Sequence, residues 1–184
     1  HDDIERIVKG KQVSVDQTSH VRRCFDLAEL VDNNLAALMP SVGPSKVEVR
    51  NDVARDLLLD SYPGPLGQAI VNLVQNAFTH AFEDRSGGEI RITAAAGVDA
   101  IRICIADDGV GMTEEVRKRL FEPFFTTRLG RGGSGLGMNI VYNIVTRVLG
   151  GTIRVDAEEE NGTTVHLDLP RTAPRPPAER SSSP

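Results

Sequence analysis

The sequence is short of the features that mark several large classes of protein. It has two cysteines, Cys24 and Cys104, in 184 residues. They show no CxxC spacing, and neither a disulfide framework nor a zinc site follows from them. Reduced thiols of a cytoplasmic protein are the simpler reading. Positive charge is not in excess: 21 Lys and Arg stand against 26 Asp and Glu, for a net charge of −5 and a pI near 5.4. Phosphate contacts need a basic face, so nucleic acid is not expected as a partner. No apolar run approaches the ~20 residues that cross a bilayer. No cationic segment followed by an apolar one opens the chain, so no secretory signal is read there. There is no internal repeat. The first residue is His1, and whether a membrane-spanning part precedes it is left open.

What is present suits a soluble globular protein, with 40 % hydrophobic and 26 % charged residues. The length allows one core-bearing domain with flanking pieces. Residues 1–40 read as a polar helical segment, with Ile4, Ile7 and Val8 and then Leu27, Leu30, Val31, Leu35 and Leu38 at helical spacing. This segment is expected to pack on something outside the chain, or on a second copy, and to end at Pro40, Gly43 and Pro44. Val47–Arg50 alternates like a strand, and 57–60 reads as a second short one. A helix is predicted from Pro63-Gly64-Pro65 to about Phe82, with Pro in its opening turn. A hairpin is predicted from 89–96 and 100–106. Thr113-Glu114-Glu115 has the hydroxyl and acids of a helix start. A helix over 135–149 and strands at 152–157 and 163–169 complete the order. From Pro170 onward the chain holds five of its ten prolines (170, 174, 176, 177 and 184) and is expected to be disordered over 171–184. The predicted architecture is a two-layer α/β sandwich, a mixed sheet covered on one face by about three helices. The predicted units are 1–40, 41–170 and 171–184.

The most informative stretch is 107–137. Seven of the 17 glycines fall in it (109, 111, 130, 132, 133, 135 and 137). They form two clusters, Asp107-Asp108-Gly109-Val110-Gly111-Met112 and Gly132-Gly133-Ser134-Gly135-Leu136-Gly137, on either side of Phe124-Phe125. Glycine lets a backbone approach a ligand closely, and two such clusters joined by a loop suit a nucleotide under a lid. The helix through 65–82 carries the second signal. Ile70, Leu73, Val74, Ala77 and Ala81 form a stripe for the sheet. Asn72, Asn76 and His80 sit four apart on another. Asn is a poor residue for a helix interior, so two in register imply a task. An amide oxygen is a hard neutral ligand that suits Mg²⁺.

These residues resemble the ATP-binding catalytic domain of sensor histidine kinases, in the GHKL superfamily of gyrase, heat-shock chaperone, histidine kinase and mismatch-repair ATPases. The resemblance covers about 41–170, and its four boxes occur in the family's order: Gln68–Ala81, Asp107–Met112, Phe121–Arg128 and Gly133–Met138. It implies the Bergerat fold, ATP as substrate and Mg²⁺ as cofactor. Asp107 then resembles the adenine reader, since a carboxylate accepts and the exocyclic amine of adenine donates. Gly109 and Gly111 let the turn pass near the base, Met112 lines the pocket, and Thr163 supports Asp107 through its hydroxyl and a water. Asp108 is a turn or surface residue. Asn76 matches the magnesium ligand, with Asn72 near the phosphates and His80 at the pocket rim. Gly133, Ser134, Gly135, Leu136 and Gly137 resemble the phosphate loop, whose amides and helix start favour anions. Arg128 is placed toward the γ-phosphate, while Arg131 reads as a solvated charge. Phe121, Phe124 and Phe125 anchor the lid or form a docking face.

The resemblance further implies a function and partners. ATPase members carry a Glu one turn before the magnesium Asn. Here that position is Asn72, and an amide takes no proton near neutral pH. The expected activity is therefore a histidine kinase: γ-phosphoryl transfer to a histidine on upstream dimerisation helices of a homodimer, and thence to a response regulator. Residues 1–39 resemble the end of those helices and their linker. No acceptor box is found: His1 lacks the following Pro, His20 lacks an acid, and His166 alternates within a strand. The parent protein is placed in the cytoplasm, with an inner-membrane anchor left open. An ATPase module that drives a conformational cycle, or a non-catalytic nucleotide sensor, are the alternatives.

Overall fold

The computed structural model of the protein describes residues 21–127 and 135–176. In chain order the elements are β1 (Arg23–Asp26), α1 (Leu27–Val42), β2 (Val47–Asn51), β3 (Leu58–Ser61), α2 (Pro63–Asn76), β4 (Gly88–Ala96), β5 (Ala100–Asp107), α3 (Glu114–Arg119), α4 (Gly137–Asn143), β6 (Thr152–Ala157) and β7 (Thr163–Pro170). α2 and α4 each continue as a wider, π-type turn, over Ala77–Ala81 and Ile144–Val148. No helix among the described residues is long and apolar enough to cross a membrane.

Five strands form the main sheet in the order β2-β4-β5-β7-β6. β2 runs parallel to β4, and the other neighbours are antiparallel, so the sheet is mixed as predicted. Period-two alternation gives each strand a covered and an open face. In β5, Ile101, Ile103 and Ile105 are buried while Arg102 is exposed. They face Leu169, Leu167 and Val165 across the ladder. The helices cover that side, and Leu66, Ile70, Leu73 and Val74 of α2 are buried against it. The open face carries charged and polar pairs: Arg102 with Asp168 at 2.6 Å, and His166 between the Cys104 thiol and Asp156. The structural reading of His166 agrees with this placement.

Two sequence expectations change. Residues 27–42 do not await a partner outside the chain: Leu27, Ala28, Val31, Leu35 and Leu38 of α1 are buried in the same core as the sheet. Asp26 caps the helix by accepting from the Glu29 amide at 2.9 Å. Pro40 lies inside α1 and does not end it; Gly43, at φ +73°, does. The core therefore begins well upstream of the predicted boundary at 40. Residues 1–20, with His1 and His20, lie outside the described residues. β1, read as helical, is a strand that pairs antiparallel with β3, and these two form a separate small sheet.

The start of the tail also differs from expectation. Ala173 is buried, its amide donates to the Asp60 carbonyl at 2.8 Å, and Tyr62 Oη donates to the Pro174 carbonyl at 2.9 Å. Residues 171–174 are thus laid along β3, because backbone groups there find partners that proline does not remove. The remainder of the tail lies outside the described residues.

Candidate functional site

The sheet and α2 bring the predicted residues to one cleft. Strand alternation puts Asp107 on the covered side, at the end of β5, and the register sets it opposite Thr163 at the start of β7. Asp107 Oδ1 accepts from the Gly109 amide at 3.0 Å and the Thr163 amide at 3.2 Å. Burial raises the Asp107 carboxyl above its ordinary value. The two amides oppose that, the charge of Asp108 adds to it, and Arg85 lowers it. The result is a partly desolvated acceptor facing the cleft. Thr163 also meets Asp107 directly through its backbone amide, because the ladder register sets the two residues opposite each other.

Behind Asp107 the turn is held tightly. Gly109 is buried, and a Cβ there would collide with the carbonyl and side chain of Ala81. The Val110 amide donates to that same carbonyl at 2.8 Å, satisfying a group the helix end leaves open. Gly111 sits at φ +68°, and a Cβ would strike the Glu158 carbonyl of the β6–β7 turn. Asp108 points away from the cleft and accepts from the Glu89 amide at 2.8 Å, which fits its reading as a turn residue.

The helix supplies the opposite wall. Its apolar stripe is buried as predicted, at Ile70, Leu73, Val74, Ala77 and Ala81. Asn72, Asn76 and His80 are half-buried and line the cleft. The π-type turn over Ala77–Ala81 carries His80, in a geometry that recurs at functional sites. The start of α4 closes on the same wall: a Cβ built on Gly137 would lie 3.4 Å from Asn76 Oδ1. Gly111, Met112, Gly135, Gly137 and Thr163 also border the cleft, together with Asp107. Gly109 and Leu136 do not; Gly109 acts from behind. Arg128, Arg131, Gly133 and Ser134 lie outside the described residues.

The aromatic cluster flanks this opening. Phe121 packs on Tyr142 with ring centroids 5.3 Å apart, and the Arg119 guanidinium stacks 4.4 Å over Phe125. Asn139 of α4 donates to the Phe121 carbonyl at 3.1 Å, tying the segment to the helix. Phe125 reaches the cleft wall, whereas Phe124 is exposed. The sequence reading missed Ile105 and Val165, which extend the apolar floor beside Asp107. Their signal was present in the strand alternation, since both precede or face Asp107 by an even step. Among the described residues no group of three or more His, Cys, Asp and Glu is placed to hold a metal ion. A cation at this site would therefore depend on amide oxygens and on the ligand's own phosphates, which is the donor set Asn76 fits.

A cleft with a carboxylate at one end, stacked amides on a helix and a glycine-bordered helix start at the other has the parts for an adenine nucleotide. Residues 62–173 match the family described as histidine kinase-, DNA gyrase B- and HSP90-like ATPase. The chain belongs to this family. Two relatives of this chain are 30 % identical to it: sporulation kinase B of Bacillus subtilis over 158 residues, and the sensor histidine kinase ZraS of Escherichia coli K12 over 172 residues. These alignments take in 86 % and 92 % of the chain, which spans 36 % and 35 % of the two relatives. The nucleotide-free catalytic domain of the histidine kinase ThkA superposes with a TM-score of 0.72 at 27 % identity, covering 83 % of this chain and 97 % of that one. Sequence and fold are those of the ATP-binding catalytic domain of sensor histidine kinases.

Proposed function

We propose that this chain binds Mg·ATP in the cleft and presents the γ-phosphoryl group to a histidine on dimerisation helices that precede the domain in its parent protein. A response-regulator aspartate would then receive the group. The observation that carries the reading is the convergence of Asp107, Asn72, Asn76, His80 and the Gly135–Gly137 turn on one cleft. Asp107 accepts from the exocyclic amine of adenine, and the two amides on its Oδ1 hold it in place for that. Val110, Met112, Ile105 and Val165 give the base an apolar bed. Asn76 would hold the magnesium ion through its amide oxygen, and the ion would supply charge neutralisation for the phosphates. The amides ahead of α4, with its helix dipole, favour the phosphate chain.

The chemistry asked of the protein is positioning and charge stabilisation. Asn72 lies on the cleft wall where a water-activating carboxylate would be needed for hydrolysis, and its amide is no base. This supports kinase over ATPase. Calorimetry with ATP and ADP, followed by a turnover assay, tests the reading. The expected result is Mg²⁺-dependent binding without steady hydrolysis by this chain, and acid-labile histidine phosphorylation by the full-length parent that Asn76→Ala abolishes. Burst-free turnover by the chain alone would favour an ATPase. A parent that binds ATP and never labels a histidine would favour a sensor.

A further inference from the structure

Arg85 follows the π-type turn and lies outside the lining of the cleft. Its guanidinium donates to the Asp108 carbonyl at 3.0 Å and to Glu160 Oε2 at 3.0 Å. One acceptor is the carbonyl of the Asp108–Gly109 peptide, the other belongs to the β6–β7 turn that covers Gly111. We propose that Arg85 is a positioning residue for base recognition, bracing from behind the cleft the turn that aims Asp107 at adenine. The proposal rests on the reading of Asp107 given above.

Three observations support it. Asp108 is pinned on both sides, its carbonyl by Arg85 and its carboxylate by the Glu89 amide at 2.8 Å. The next amide along, that of Gly109, is one of the two that hold Asp107 Oδ1. Loosening Asp108 therefore moves a donor of the reader itself. The β6–β7 turn is also tied into this bundle, with the Glu160 amide donating to the Val110 carbonyl at 2.7 Å. Finally, the Arg85–Glu160 ion pair is too exposed to matter much for stability, the Glu160 side chain being 79 % exposed. Holding geometry is what remains for it. The fork of a guanidinium engages two acceptors in fixed directions, which an ammonium does not.

Charge acts in the same sense as geometry. The charges acting on Asp107 are Asp108 at its own strand end and Arg85 beyond the helix; His80 and Glu83 line the same cleft, and Glu160 pairs with Arg85 on the far turn. Among the described residues Arg85 is the cation that favours ionised Asp107 against its burial. Removing it moves the titration of Asp107 upward, and the acid fall-off of adenine affinity moves with it.

Calorimetric titration of ADP with Mg²⁺ between pH 4 and pH 8 provides the test. Arg85→Gln is expected to raise Kd roughly three- to ten-fold near neutral pH, the scale of a lost charged hydrogen bond at a half-exposed site, and to shift the acid fall-off toward neutral with little change in Tm. Arg85→Lys is expected to keep the fall-off in place while recovering only part of the affinity. In an Asp107→Asn background, Arg85→Gln should add less than it does alone. An unchanged Kd and pH profile for Arg85→Gln would overturn the proposal. So would a full effect in the Asp107→Asn background, which would put Arg85 on the nucleotide itself. If Arg85→Gln does not fold, the partial loss in Arg85→Lys decides in its place, and wild-type affinity there refutes the brace. Asp107→Asn with wild-type affinity would sink the underlying reading instead, so the two failures are distinct.

Discussion

Asp107→Asn separates recognition from stability. In the wild type, Oδ1 is engaged by two backbone amides, which in the proposed binding mode leaves the second oxygen for the base. In the variant the amide oxygen keeps those two donors, and the side-chain NH₂ then faces the amine of adenine, donor against donor. The expected loss is about 1–3 kcal/mol, the range for a charged hydrogen bond replaced by an unmade one, or about 5- to 160-fold in Kd. Stability should move the other way. Burial raises the Asp107 carboxyl in the folded state, so the protonated form is the one that folding favours. Its contribution is fully present below the unfolded-state value and is lost as pH rises through the raised one. At neutral pH the ionised group therefore costs stability, and neutral Asn removes that cost. Calorimetry with Mg·ADP and thermal melts from pH 4 to pH 8 read both effects. The variant should bind more weakly yet melt higher than wild type at neutral pH, with the gap in Tm closing as pH falls. Unchanged affinity, or a variant that folds but melts lower at neutral pH, would refute the argument.

Other perturbations probe other walls. Asn76→Ala should remove the Mg²⁺-dependent part of ATP affinity while leaving Mg²⁺-free ADP binding in place, and the half-buried helix position should tolerate Ala within about 0.5 kcal/mol; equal losses with and without Mg²⁺ in calorimetry would deny Asn76 its metal role. Leu27→Ala should cost about 2–5 kcal/mol in urea unfolding, because Leu27 is fully buried; a near-zero change would return α1 to the status of a linker. Gly111→Ala should cost about 1–2 kcal/mol through its positive φ alone, with more from the Glu158 carbonyl, and ADP affinity should fall with it; a loss below about 0.5 kcal/mol in urea unfolding would show that the turn is not constrained as described.

The parts of the site that were legible in the sequence were those set by local periodicity. The four-residue spacing of Asn72, Asn76 and His80 fixes a common face on any helix, and the alternation through Ile101, Ile103 and Ile105 places Asp107 on the covered side of any strand. The rest depended on what each element meets. The apolar stripe of α1 announces that it is covered but does not say by what, so Leu27–Leu38 could not be assigned to this core from pattern alone. Leu58–Ser61 reads as a strand on its own residues, yet its pairing with Arg23–Asp26 is a tertiary fact. The direct bond from the Thr163 amide to Asp107 follows from a register of the β5–β7 ladder that no single strand encodes. Arg85 gave no signal at all, since an arginine in a loop after a helix is ordinarily a solvated charge.

One feature of the cleft explains why its supports are so dense. A carboxylate on the covered side of a sheet is an expensive group, and under the proposed function it must stay charged to read a donor. Two backbone amides and a guanidinium behind the turn work against the burial that raises its pKa. The amides are the larger of the opposing effects and the guanidinium the smaller. Backbone donors are set by the fold and survive any side-chain change, whereas the guanidinium is removable. The ordering has a consequence that binding data can check: loss of the cation should weaken recognition by a fraction of what loss of the carboxylate does. A site in which Arg85→Gln cost as much as Asp107→Asn would have its charge balance held by the side chain and not by the ladder.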